Sequence, residues 1–300
     1  MTAGLLEGRV AIVTGGGRGL GRSYALALAG HGARVVVNDL GGDLNGSGQD
    51  LSPARSVVAE IEAAGGKAIV SGHDDSDWTA AKAMVDLAVE TFGGLDVLVN
   101  NAGILRDRLF ANMSEEDWDG VIRVHLKGHA GPARHAMEYW RNRAKSGARV
   151  AASIVNTTSL AGLIGSFGQA NYASAKLAVV GLSRTLALEG AKYGVRCNAV
   201  SPSARTRIET SLQSAPEGDF DVFSPDNVAP LICWLAMEEC PSSGQVFQAY
   251  GNRIEVLAQT RIEVDLRTDG RWRVEDIDSR LKDRLPALPK LGDFVEGLPL

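Results

Sequence analysis

In NYASAKLA (residues 171–178), Tyr172 and Lys176 stand four residues apart within an alanine-rich run. Alanine is the strongest helix former, so the stretch from Ala170 to about Lys192 is predicted to be helical. That places both side chains on one face, one turn apart. The pair can be an ordinary surface contact of the kind many helices carry. It can also be an acid–base pair. A free phenol ionises near pH ~10, and an ammonium ~4 Å away favours the phenolate by at most ~4 kcal/mol at an effective dielectric of ~20. That ceiling is equivalent to about three pKa units, enough to bring a tyrosine toward acid–base work near neutral pH.

A second chemical signal lies near the start. TGGGRGLG (14–21) follows a short apolar run and opens an alanine-rich segment. Glycines at 15, 19 and 21 permit a tight turn that brings backbone amides close to a ligand, and a helix N-terminus behind them favours an anion. Asp39 lies at the end of the next apolar run, eighteen positions after Gly21. In a dinucleotide fold an acid there accepts hydrogen bonds from the adenosine ribose and repels a 2′-phosphate; otherwise it is a loop or helix cap. Turn and acid together favour NAD(H) over NADP(H), while Arg18 and Arg34 leave some NADP capacity open.

These residues need a scaffold, and the pattern supplies one. Apolar runs occur at 9–13, 33–38, 67–71, 95–100, 150–156, 195–201 and 245–250, with helical candidates near 19–30, 53–64, 77–92, 115–145, 171–192 and 225–238. Runs of this length without polar alternation suit strands buried on both faces of a parallel sheet. Their alternation with helices predicts a doubly wound α/β domain with right-handed crossovers over residues 1–251. Residues 41–52 (GGDLNGSGQDLS) read as a polar loop. Residues 252–300 form a C-terminal extension, in which RIEVLAQTRIEVDL and RWRVEDI flank RTDG as a hairpin before a short helix and tail, packed on the same domain or a neighbouring subunit.

Composition narrows the class. A hydrophobic content of 45%, a charged content of 22% and a net charge of −5 fit a globular protein and argue against a nucleic-acid surface. The three cysteines, Cys197, Cys233 and Cys240, have no metal-site spacing and point to a reducing compartment. No apolar run reaches the ~20 residues of a membrane span, and EGLPL is not a peroxisomal SKL-type ending, so the expected location is cytoplasmic.

TGGGRGLG, NNAG at 100–103, Ser159 and YASAK at 172–176, in this order and in these elements, resemble the short-chain dehydrogenase/reductase family over about residues 5–251. Within it, VVVNDLGGD (35–43), NNAGILRDRLF (100–110), RVHLKG (123–128) and FGQANYASAK (167–176) are similar to the (3R)-hydroxyacyl-CoA dehydrogenase units of multifunctional enzymes. Those units are also counted among 17β-hydroxysteroid dehydrogenases. The resemblance implies a Rossmann-type fold and an NAD-dependent oxidoreductase that interconverts a secondary alcohol and a ketone. It implies a proton relay through Ser159, Tyr172 and Lys176, with Ser159 positioning the reacting oxygen and Lys176 also holding the nicotinamide ribose. The implied cofactor contacts are Gly15, Gly17, Arg18, Gly19, Leu20 and Gly21 of the turn, then Asp39, Asn101, Ala102, Gly103, Thr157, Tyr172, Lys176, Pro202 and Thr206. Asp74, with Asp75 as the fallback, is implied to bond the adenine amino group; the alternative for Asp74 is an N-cap of the helix near Trp78. The implied partners are a lipid-like substrate, a (3R)-hydroxyacyl-CoA thioester or, as the alternative, a hydroxysteroid or sterol side-chain CoA ester, and further copies of the chain in a homodimer or homotetramer.

Three stretches depart from the family pattern. His125 stands where the family has an asparagine that holds a water near the lysine; a ring nitrogen or the backbone carbonyl can do the same, and a purely structural histidine is the alternative. Pro202-Ser203 replaces Pro-Gly, so a different local turn is expected there. Arg205 and Arg207 beside it suit either a CoA phosphate or solvent, and residues 208–224 read as a short polar lid. A non-catalytic nucleotide-binding sensor is the reading from another class.

Overall fold

The apolar runs become strands because each sits between two layers of helices. In the computed structural model, which describes residues 4–43, 46–207, 220–258, 263–282 and 284, eight strands form one sheet in the order β3-β2-β1-β4-β5-β6-β7-β8. These are β1 (Val10–Thr14), β2 (Arg34–Asn38), β3 (Lys67–Ser71), β4 (Val97–Asn100), β5 (Ala152–Thr157), β6 (Val195–Pro202), β7 (Val246–Tyr250) and β8 (Arg253–Val256). The first seven pair in parallel, and β8 pairs antiparallel with β7. The helices are α1 (Gly19–Gly30), α2 (Ser52–Ala63), α3 (Trp78–Phe92), α4 (Glu115–Ile122), α5 (Gly128–Lys145), α6 (Leu160–Ile164), α7 (Ala170–Gly190), α8 (Ala229–Ala236) and α9 (Val274–Leu281).

The period-two alternation of a strand divides the core. From β1, Ala11 and Val13 pack with Tyr24 and Leu28 of α1, Val57 and Ile61 of α2, and Leu235 of α8. Val10 and Ile12 face the other way, toward Met84 and Val85 of α3, Ala136 and Trp140 of α5, and Leu186 of α7. With both faces covered, no strand of the parallel part needs a polar face. Sequential strands run outward in both directions from β1, so β1 and β4 form the switch point, where chain turns diverge and leave a crevice.

The chain divides into two compact units, 1–257 and 258–300. The hairpin expected around RTDG is not found: the described residues from 263 to 273 hold no strand. Gly251 turns with a φ of +51°, and the chain reverses at once, so Arg253–Val256 pairs with the free edge of β7. Val274 and Ile277 of the second stretch recur at helical spacing and form α9. The proposed tail and residues 208–219 of the proposed lid lie outside the described residues, apart from position 284 in the tail. No described helix is long and apolar enough to cross a membrane.

Candidate active site

The C-terminal ends of β1, β2, β4, β5 and β6 open onto one cleft of about 570 Å³. It is lined by every residue singled out above for catalysis or cofactor contact except Gly17.

At its base, the turn after β1 is held very close. A Cβ on Gly21 would lie 2.0 Å from the Gly15 carbonyl oxygen, so no larger residue fits there. The Asn101 side chain donates from Nδ2 to the carbonyls of Thr14 (3.0 Å) and Gly15 (3.3 Å). The Thr14 hydroxyl in turn accepts from the backbone N–H of Asn101 (3.0 Å) and Ala102 (3.1 Å). Glycine turn and NNAG turn are therefore one hydrogen-bonded unit. Asp39 closes its side: Oδ2 accepts from Gly17 N–H at 2.8 Å and Oδ1 from Gly41 N–H at 2.7 Å. Gly17 is thus tied to a residue that lines the cleft.

Beyond β3, Asp74 accepts from the N–H and hydroxyl of Ser76 (2.9 and 2.6 Å) and lies 3.5 Å from an Arg123 guanidinium nitrogen. The helix N-cap is Asp77, which accepts from Ala80 N–H at 2.7 Å, so the capping alternative for Asp74 does not hold. Asp75 turns inward and is buried; desolvation first, then the neighbouring Asp74, push its carboxyl up to about 8.

On the reaction side, α7 carries Tyr172 and Lys176. Lys176 is buried, its Nζ donates to the Thr157 carbonyl at 2.7 Å and stands 5.5 Å from the centre of the Tyr172 ring. Burial pulls this amine down to about 7. Thr158 ties β5 to the same helix turn by donating to the Lys176 carbonyl at 2.7 Å. Ser159 is the N-cap of α6, accepting from Ala161 N–H at 3.2 Å, which leaves its hydroxyl proton available to the cleft. The surface-pair alternative for Tyr172 and Lys176 does not describe this geometry: the lysine is among the largest fully buried side chains of the chain.

His125 sits in the middle of a π-helical turn, Arg123–Lys127, between α4 and α5. Its Nε2 faces the backbone of Ile104, 2.8 Å from the carbonyl and 3.1 Å from the N–H, and its ring meets Tyr172 edge-on at 5.0 Å. A Cβ on Gly103 would come within 2.5 Å of this ring, which explains the glycine. Burial, then the Lys176 charge, hold His125 well below its ordinary range, so it is neutral.

At the far wall, Pro202 ends β6, and Thr206 lies 3.3 Å from where a Gly19 Cβ would be. Ser203 does not need glycine's freedom, because no described residue other than glycine has a positive φ. Arg205 is ion-paired with Asp221 at 2.6 Å, whereas Arg207 lines the cleft. The cleft also contains residues outside the predicted set, among them Gly42, Asp43, Gly46, His73, Ile104 and Arg123. The signal for the first three was present: a glycine-rich loop directly after the strand that ends in Asp39.

Residues 9–216 match the family model for short chain dehydrogenases. The chain is 47% identical over 243 residues to peroxisomal multifunctional enzyme type 2 of Mus musculus, covering 81% of this chain but only 31% of that protein. It is 42% identical over 290 residues to hydroxyacyl-CoA dehydrogenase ChsB1 of Mycobacterium tuberculosis, covering 93% of this chain and 89% of that one. Among solved structures, a short chain dehydrogenase from Mycobacterium avium superposes with a TM-score of 0.86 at 47% identity, over 96% of this chain and 98% of that one.

Proposed function

The chain belongs to the short-chain dehydrogenase family, and we propose that it is an NAD(H)-dependent oxidoreductase that interconverts a (3R)-hydroxyacyl-CoA and its 3-ketoacyl-CoA. The observation that carries the proposal is the buried Lys176 amine beneath the Tyr172 ring, opening onto the same cleft as the glycine turn and Asp39. The residues fit a dinucleotide. The glycine turn is a cradle that a Cβ at Gly21 would fill, and Asp39 is fixed by two backbone N–H groups with its charge facing the cleft. Gly15 to Gly21, Asp39, Asp74, the NNAG turn, Pro202 and Thr206 would hold its adenosine, phosphate and nicotinamide parts. Bound there, the oxidised nicotinamide supplies the acceptor for the hydride of the carbinol carbon.

The chain's own groups manage the proton. Tyr172, as phenolate, takes the proton of the substrate hydroxyl as the carbonyl forms; in the reverse direction the phenol donates it. Lys176, fixed by the Thr157 carbonyl, favours the phenolate by its charge. Ser159 donates its free hydroxyl proton to the reacting oxygen, where charge develops. His125 holds the loop at Ile104 and buttresses the Tyr172 ring, so its role is to position both.

The acyl-CoA assignment is supported by the relatives named above and by the cationic Arg207 on the cleft wall. A homodimer or homotetramer is supported by Leu177 and Leu188, which are exposed along one side of α7. The three buried free thiols suit a reducing compartment such as the cytoplasm. The test is parallel assay of a (3R)-hydroxyacyl-CoA, its (3S) epimer and a 17β-hydroxysteroid, each with NAD⁺ and with NADP⁺. The reading expects turnover of the (3R) thioester with NAD⁺. Turnover of the steroid alone would overturn the substrate assignment, and preference for NADP⁺ would overturn the role of Asp39.

A further inference from the structure

A second cavity, of about 260 Å³, lies at the opposite end of the sheet from the cleft, and no described residue lines both. It is framed by the starts of β1, β2, β4 and β5 and by the last turns of α3 and α5. Arg34, Arg143 and Arg149 line it, and among the described residues Asp96 is its one carboxylate.

The acceptors at this end of the sheet are already engaged. Arg34 Nη1 donates to the Phe92 carbonyl at 2.8 Å, which closes the carbonyl end of α3. Arg9 Nη2 donates to the Ala151 carbonyl at 2.8 Å, and Trp140 Nε1 to that of Leu95 at 2.6 Å. Asp96 Oδ2 accepts from the Val10 N–H at 2.8 Å. Donors and charge are left over. Arg34 spends one of its N–H groups on Phe92, and Arg143 meets the Tyr139 hydroxyl at 3.4 Å and stands over its ring. Neither has a carboxylate partner among the described residues, whereas Arg149 is paired with Glu238. Behind the wall Arg9 is only 9% exposed, and its Nε has no hydrogen-bond partner. Four guanidinium groups, those of Arg9, Arg34, Arg143 and Arg149, thus meet two carboxylates, Asp96 and Glu238, in a chain whose net charge is −5.

An excess of positive charge in a concave site concentrates anions, and the guanidinium fork matches the oxygens of a phosphate. A phosphate ester carries between about 1.5 and 2 negative charges at neutral pH, close to the excess here, where a single carboxylate carries one. We propose that this cavity is a binding site for the phosphate group of a small phosphorylated molecule, held by Arg34 and Arg143 and separate from the catalytic cleft. Nothing in it depends on what the cleft binds. Arg143 is exposed, so its replacement leaves the fold intact and isolates the site.

The experiment is calorimetric titration at low ionic strength with inorganic phosphate, with glycerol phosphate as an ester and with citrate as a carboxylate control. The proteins are wild type, Arg143→Gln, Arg143→Lys and, as a marker of the cleft, Arg18→Gln. Arg143→Gln should weaken phosphate or ester binding by about tenfold or more, as the loss of a charge-assisted hydrogen bond does, and Arg143→Lys by less. Arg18→Gln should leave that binding unchanged. Tighter binding of the ester assigns the site to a phosphorylated metabolite, and equal binding assigns it to free phosphate. Binding that Arg143→Gln leaves intact, or that only Arg18→Gln removes, would overturn the proposal. So would binding of citrate alone, or no binding of phosphate and ester up to about 10 mM.

Discussion

Replacing Lys176 by methionine removes the charge beneath Tyr172 while keeping a buried side chain of similar length. With Nζ 5.5 Å from the ring centre, the ammonium favours the phenolate by about 3 kcal/mol at an effective dielectric of ~20, or roughly a hundredfold in the ionised fraction. The coupling is mutual. Burial alone lowers the amine to about 7, and a phenolate beside it restores its affinity for a proton, so the two groups ionise as a pair. With saturating NAD⁺ and a (3R)-hydroxyacyl-CoA, kcat of Lys176→Met should fall roughly a hundredfold at neutral pH. Because the lost term is electrostatic, the rate should recover by up to about tenfold per pH unit as the medium becomes alkaline. The assay is NADH absorbance from about pH 6 to about pH 10. A deficit that stays constant across that range, or one smaller than about threefold, would refute the electrostatic role.

Tyr172→Phe should lower kcat by about three orders of magnitude and leave NADH affinity within about threefold, measured by steady-state assay and fluorescence titration. Asp39→Ser removes the carboxylate that Gly17 and Gly41 orient, so the ratio of NADPH to NADH affinity should rise on the order of tenfold; an unchanged ratio would oppose the ribose role. His125 and His129 are buried with their pKa values depressed below the ordinary range, so the unfolded chain binds more protons than the folded one below pH ~6.5. Stability should therefore be fully present above that value and fall by up to about 1.4 kcal/mol per pH unit for each histidine as pH drops toward the folded-state value. Urea unfolding at successive pH values checks this, with the double variant His125→Asn/His129→Asn expected to show a shallower acid slope. His125→Ala should cost about 2–3 kcal/mol in the same assay, since it leaves a space beside Tyr172 and frees the Ile104 backbone.

The seven parallel strands and the long helices were legible because each is a buried element whose residue types and length leave few alternatives. The glycine turn, Asp39 and the Tyr172–Lys176 pair were legible because their chemistry depends on local spacing. What was less visible depends on tertiary partners. The π-helical turn at His125 looks like continuous helix in sequence, since nothing local marks one extra residue. Helix α6 is only five residues long and exists because Ser159 caps it. In the sequence Arg253–Val256 reads as the start of a later hairpin, but the edge of β7 is the nearer partner. Asp74, Asp75 and Asp77 are equivalent in a sequence; only the fold shows that Asp77 caps α3, Asp74 faces the cleft and Asp75 turns inward. From the loop after β2, Gly42, Asp43, Gly46, Gly48 and Gln49 line the cleft, which polarity alone does not reveal.

The most direct test of the central claim is NADH formation by wild type and Tyr172→Phe, with NAD⁺ and a (3R)-hydroxyacyl-CoA. Steady turnover by the wild type, abolished in a variant that still binds NADH, is the predicted result. Equal turnover by the two proteins would contradict the proton relay, and binding of NADH without turnover of any alcohol tested would contradict the assignment as a dehydrogenase.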